Sequence, residues 1–192
     1  MTEFTSLLND IKHCTICASQ LEHGTRPVLQ VHPKAKILIA GQAPGLKVHT
    51  SGIPFDDASG KRLREWLGVT REEFYDPEKV AILPMGFCYP GTGKTGDLAP
   101  RKECAPAWRE KILTHLSQIE VTIVLGSYAQ KYHMGVTNSS VTDLVKSWES
   151  YWPNIIPLPH PSPRNNIWLK KNPWFEVELL PKLRERVRES LK

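Results

Sequence analysis

The sequence predicts an α/β fold, a single domain over residues 1–192 with a mostly parallel central sheet flanked by helices on both faces. Three observations carry this. Short apolar, β-branched runs recur at Lys36–Ala40, Val80–Leu83, Val121–Leu125 and Ile155–Leu158, and continuous apolar runs of that length mark strands buried on both faces. Helical patterns lie between them, as the long crossovers of parallel pairing require. The first and third runs also end directly in glycine, at Gly41 and Gly126, where a strand gives way to a turn.

In chain order, residues 4–17 read as a short amphipathic helix that delivers Cys14 and Cys17 at its end. Residues 58–68 read as a second helix, with Leu63 and Leu67 on one face and Gly68 as its stop. Further helices are expected over 106–118 and from Tyr128–Tyr132 onward. The last one, LPKLRERVRESLK, interleaves Glu185 and Glu189 with arginines, the pattern of a solvated outer face. Ligands of such sheets bind beyond the carboxyl ends of the strands. There the chain places GQAPG, PMGFCYPGTGKTG and HPSPRNN, three Gly- and Pro-rich loops that converge on one rim. Sixteen prolines agree that much of this chain is shaped loop.

Bulk properties narrow the class. A hydrophobic fraction of 40% and a charged fraction of 23% are ordinary for a globular protein. No apolar run approaches the roughly 18 residues of a membrane span, and MTEFTSLLNDIKHC lacks the order of a secretory signal. A cytoplasmic monomer without membrane contact is the expectation. A net charge of +5 and a pI near 9.0 suit a polyanionic partner. GTGKTG is not a phosphate-binding P-loop, because the required glycine falls on Cys88. It reads instead as a basic flexible loop in which Lys94, Arg101 and Lys102 meet phosphates.

The chain has four cysteines: Cys14 and Cys17 as CTIC, then Cys88 and Cys104. In an intracellular chain this points to metal or redox chemistry before disulfides. A thioredoxin-type CxxC follows a strand, and this one does not. Zinc favours two close pairs, whereas the second pair here is 16 apart. Thiolates also hold [4Fe–4S] clusters, which accept wide spacing. Four unrelated buried thiols stand as the plain alternative.

The Cys-x2-Cys and Cys-x15-Cys framework resembles that of family 4 uracil-DNA glycosylases. GQAPGLKVHTSGIPF resembles that family's first motif, Gly-Glu-Ala-Pro-Gly running on to Gly-x-Pro-Phe, and SGKRLREWLG resembles the helix after it. HPSPRN at 160–165 resembles the second motif, in a form nearer to family 1 and the single-strand-selective enzymes. The resemblance spans residues 14–165 and implies the uracil-DNA glycosylase fold, a [4Fe–4S] cluster on Cys14, Cys17, Cys88 and Cys104, and DNA, single- or double-stranded, as partner.

It also implies roles. Gly41 and Ala43 border a flipped base, Gln42 orients a water, and Phe55 stacks on the base. His160 donates to the leaving base oxygen, as a neutral imidazole can do without releasing its proton. Ser162, Arg164, Asn165 and Asn166 have the chemistry of phosphate contacts. Ile167, Trp168 and Leu169 either fill the space of the extruded base or pack beneath the loop. The departures are as specific. Family 4 enzymes carry Glu at Gln42 and carboxylates at Leu46–His49, and their base-reading Asn is here Pro84. The aspartate of the family 1 turn is Ala43. Asp56 and Asp57 are the nearest acids, as catalysts or as loop caps, and only one of two adjacent residues in an extended loop can face the sugar. Two functions follow: a glycosylase for uracil or another altered base, or a non-catalytic iron–sulfur protein that binds nucleic acid.

Overall fold

The computed structural model describes residues 2–192. Four strands, β1 (Ile37–Ala40), β2 (Val80–Ile82), β5 (Val121–Leu125) and β6 (Ile155–Leu158), form one sheet in the order β2-β1-β5-β6. Between β2 and β5 lies a separate antiparallel pair, β3 (Thr92–Gly93) and β4 (Gly96–Asp97). All pairings in the main sheet are parallel, with Ile37 beside Val80 and Val121, and Leu125 beside Leu158. Pro157, which cannot donate to a ladder, sits in the edge strand β6. The opposite edge, β2, is covered by Gln30, which exchanges backbone hydrogen bonds with Ile82.

The helices are α1 (Glu3–Lys12), α2 (Leu46–Ser51), α3 (Ala58–Leu67), α4 (Arg71–Phe74), α5 (Glu110–Leu113), α6 (Gly126–Met134), α7 (Val141–Lys146), α8 (Asn166–Lys171) and α9 (Leu180–Ser190). They cover both faces of the sheet, and the alternation of β1 shows how. Ile37 and Ile39 pack with Leu63 and Leu67 of α3 and Leu183 and Val187 of α9. Leu38 points the other way, to Ile11 of α1, Ile112 of α5 and Leu116. The basic α9 buries Leu180, Leu183 and Val187 and turns its charges outward. No helix among the described residues is long and apolar enough to cross a membrane.

Some boundaries differ from those read in the sequence. The first helix stops at Lys12 rather than 17, where the His13 ring meets the Asn9 carbonyl at 2.8 Å, so Cys14 and Cys17 lie in the turns that follow. The helix expected over 106–118 starts with a widened π turn at Ala105–Arg109 and ends at Leu113. A π turn carries no hydrophobic period to reveal it. Its last residue, Arg109, is fully buried. Its guanidinium donates to the Leu83 and Pro84 carbonyls at 2.9 and 2.8 Å, packs over the Tyr132 ring, and meets His133 Nε2 at 2.6 Å.

That contact has a pH signature. Burial, and then the Arg109 charge, hold His133 down to about 3 from its ordinary 6.5. Between those values the unfolded chain binds one proton more than the folded one. This site's contribution is therefore whole above pH 6.5 and lost as the pH falls toward 3, at about 1.4 kcal/mol per pH unit. In urea unfolding, His133→Gln, which keeps an acceptor for Arg109, is expected to flatten the acid limb by about that slope.

Candidate active site and cysteine pocket

The three loops singled out in the sequence line one cleft of about 460 Å³. Gly41–Gly45 come from the end of β1, Pro84 from the end of β2, and His160, Ser162, Arg164 and Asn165 from the end of β6. Topology opens this crevice: β1 sends the chain to β2 on one side, while β5, its other neighbour, sends it to β6 on the opposite side.

Phe55 forms one wall. It is the one non-glycine residue with positive φ among those described, at 54°, a conformation that persists only where its surroundings impose it. Gly60 supplies the reason: a Cβ there would stand 1.7 Å from the Phe55 carbonyl oxygen. The loop thus rests directly on the bare backbone of α3. The Phe55 ring is braced edge-on by Phe74 and lies against Gly41, where a Cβ would meet it at 3.5 Å. The aromatic and the GQAPG turn form one continuous surface.

His160 stands on the rim beside Gly126, the residue that follows β5 and opens α6. Its Nδ1 accepts the Ser162 backbone N–H at 3.2 Å, and its carbonyl accepts the Asn165 side-chain amide at 2.7 Å. Burial lowers its pKa, against the opposing pull of Asp57 and Asp97. A neutral imidazole that accepts at Nδ1 carries its proton on Nε2. Arg62 of α3 ties the same loop down, donating to the Ser162 carbonyl at 3.0 Å and to Asn166 Oδ1 at 2.8 Å.

The two adjacent acids part company. Asp56 turns to Arg71, 3.2 Å away, and does not line the cleft. Asp57 does line it, while its Oδ1 caps α3 by accepting the Gly60 N–H at 2.8 Å. Trp168 and Leu169 pack against the core, and Trp168 Nε1 donates to Thr142 Oγ1 at 2.8 Å. Ile167 projects into solvent at 68% exposure. The segment GTGKTG at 91–96, read as a basic loop, forms most of the β3–β4 hairpin. Its residues Thr95–Leu98 line the cleft, and Asp97 with them.

All four cysteines line a second, smaller pocket, roofed by Ile16 and Trp108, and none is in a disulfide. Trp108 Nε1 donates to Cys14 Sγ at 3.3 Å, and the Phe87 N–H to Cys104 Sγ at 3.4 Å. Burial raises Cys17, pushes Cys88 up to about 11 and Cys104 up to about 12. Among the described residues, no three His, Cys, Asp or Glu side chains are grouped to hold a single metal ion.

Residues 29–184 match the uracil DNA glycosylase superfamily. The chain belongs to that superfamily. It is also similar to a protein of Sulfurisphaera tokodaii named type-4 uracil-DNA glycosylase, with 32% identity over 118 residues, 58% of this chain and 50% of that one. The chain thus spans about half the length of the relative it matches. The superfamily match begins after Cys14 and Cys17, so the first cysteine pair lies outside it.

Within this superfamily fold, sequence reasoning missed Arg62, Arg109 and Asp97. Arg62 is one cation among several on α3, and only its fold-distant partners single it out. Gly60 offered a signal, since glycine in the first turn of a helix loses stability unless another group needs the space. Gly60→Ala is expected to force the Phe55 loop off α3, costing about 3 kcal/mol in chemical denaturation, the upper end of overpacking effects. Ser59→Ala, one residue away, serves as the control.

Proposed function

We propose that the chain is a DNA glycosylase, a hydrolase of the bond between deoxyribose and a flipped-out uracil or other altered base. The observation that supports this best is the placement of His160 on a cleft walled by Phe55 and the GQAPG turn, with Nδ1 occupied by the Ser162 N–H and burial disfavouring the charged ring, which leaves Nε2–H as the donor. Cleavage leaves negative charge on the base, and a fixed donor where that charge grows lowers the barrier. Phe55 and Gly41 form the platform for the base, with the Gln42–Ala43 backbone at its edge. Gln42 orients a water. Of the two acids, Asp57 faces the sugar. Ser162, Arg164 and Asn165 meet phosphates, and Ile167 fills the space the base leaves. We assign one domain to the whole chain and DNA as its partner.

The four cysteines are assigned to a [4Fe–4S] cluster. A cluster puts each thiolate on a different iron, so its ligands encircle a pocket instead of crowding one point, as these four do. N–H donors already face two of the sulfurs, as suits thiolate acceptors. The cluster supplies cross-linking of distant segments, and no step of base release runs through it. Protein purified without oxygen is expected to be brown, with about four irons per chain. Cys88→Ser is expected to bleach it and lower its melting temperature together. Colourless protein with one zinc would overturn the assignment.

Release of a base from oligonucleotides carrying uracil, hypoxanthine, xanthine or 5-substituted pyrimidines tests the activity. His160→Ala is expected to slow single-turnover release by about a hundred- to a thousandfold, with iron content and DNA affinity retained. DNA binding without release from any of these oligonucleotides would favour a non-catalytic binder. Pro84 on the cleft wall, where an Asn would read the base, is the feature that reading explains.

A further inference from the structure

We propose that Asp97, on the β3–β4 hairpin, is a catalytic residue of this cleft, the carboxylate that stands where the GQAPG turn has none. The inference rests on the glycosylase reading above and names a residue that the resemblance does not.

Three carboxylates stand near the cleft, and they differ in what already engages them. Asp56 is paired with Arg71 and faces away. Asp57 has one oxygen committed to the cap of α3. The Asp97 carboxylate lines the cleft and has no hydrogen-bond or ion-pair partner among the described residues. Its Oδ2 lies 3.4 Å from where a Cβ on Gly45 would sit, directly against the last glycine of the turn. A carboxylate missing from the turn itself, at Gln42, Ala43 and Leu46–His49, is thus delivered to its surface from far downstream in the sequence. Both Asp57 and Asp97 act on the His160 ring, so the two acids and the imidazole share one electrostatic environment.

The hairpin holds Asp97 in place. Asp97 pairs across the hairpin with Thr92, whose hydroxyl bonds to the buried Tyr89. Leu98 N–H closes the base of the hairpin on the Gly91 carbonyl at 2.8 Å. The Arg164 guanidinium lies across Gly96, where a Cβ would stand 2.2 Å from its Nη1. The hairpin is therefore seated between the GQAPG turn and the HPSPRN loop. The backbone that carries its acid is held before substrate arrives.

The chemistry balances with this one acid. As the bond from the sugar C1′ to the base nitrogen breaks, its electron pair leaves with the base, whose oxygen accepts from His160 Nε2–H. With Asp57 facing the positive charge on the sugar, the Asp97 carboxylate takes one proton from the water whose oxygen adds to C1′. That proton then neutralises the departed base anion, leaving an abasic sugar, a neutral base and an ionised Asp97.

The location makes a distinctive signature. A carboxylate beside a polyanion opposes binding, so a residue kept for DNA affinity or for packing and one kept for chemistry respond oppositely to loss of charge. Asp97→Asn is expected to bind the oligonucleotide as tightly as the wild type or more so, while its single-turnover rate falls about a hundredfold or more. Asp97→Glu, which keeps the charge, is expected to retain more of the rate than Asp97→Asn. Iron content and melting temperature establish that each variant is folded. Wild-type release with an Asp97→Asn rate within threefold of it overturns the role of Asp97 and leaves the glycosylase reading standing. A fall in rate matched by an equal fall in affinity overturns it too. Wild-type protein that releases no base from any oligonucleotide overturns both.

Discussion

The cleft depends on one topological constraint, the divergence of the chain at the carboxyl ends of β1 and β5. These neighbours are bonded along their length, Ile37 to Val121 through Ala40 to Val124, so their ends coincide. The connections then leave in opposite directions, and no crossover helix can roof the gap between them. Everything placed at the gap is loop, and loops can bring bare backbone close to a ligand as helices and strands cannot. The GQAPG turn occupies one lip and His160 stands over the other, beside Gly126. Phe55 closes the side because Gly60 lets its carbonyl sink onto α3. Each wall of the site is thus a local solution to a gap that the strand order creates.

The electrostatics of the cleft run against those of the molecule. The chain is basic overall, at +5, yet the groups that face one another inside are a neutral histidine and two carboxylates. Cations stand around them in supporting positions: Arg62 holds the HPSPRN loop from behind, and Arg164 lies over Gly96 at the mouth. Arg109, fully buried, holds the Leu83 and Pro84 carbonyls that end β2. A buried guanidinium without a carboxylate is costly, and burial accordingly pulls it down to about 10. Its two carbonyl acceptors, the His133 ring and the Tyr132 face offset that cost.

What the sequence disclosed and what it concealed divide along physical lines. The four sheet strands were legible to within a residue, because an apolar run bounded by turn residues is a local signal. Gly68 was legible as the stop of α3 for the same reason, and it ends that helix at φ 67°. The gathering of three loops on one rim followed from parallel pairing alone. The β3–β4 hairpin was not legible, since two-residue strands show no alternation, and its composition suggested a basic loop near the cysteines. Asp97 was hidden with it. Arg109 was hidden by the π turn, which rotates a residue of ordinary surface type, in AWREK, into the core. The places that Asp97 and Arg109 take are long-range contacts, with Gly45 and with Leu83, Pro84 and His133, and no short window of sequence contains both partners.

One stretch of chain joins the two pockets. From Pro84 in the cleft it passes through Gly86, Phe87 and Cys88 in the cysteine pocket. It returns to the cleft as the hairpin that carries Asp97, and goes back to the cysteines at Arg101 and Cys104. Cysteines thus flank the hairpin on both sides, 16 residues apart in sequence. Without a cross-link, the position of such a loop rests on a few hydrogen bonds, and closing it costs entropy each time it forms. On the proposed reading, a cluster that binds Cys88 and Cys104 and ties both to Cys14 and Cys17 removes that freedom. It fixes the flanks, the Gly91–Leu98 bond closes the base of the hairpin and Arg164 lies across its strand at Gly96, and the Asp97 carboxylate stays against the GQAPG turn. The distance between cluster and cleft is then no obstacle to the cluster's importance, because what it transmits is position.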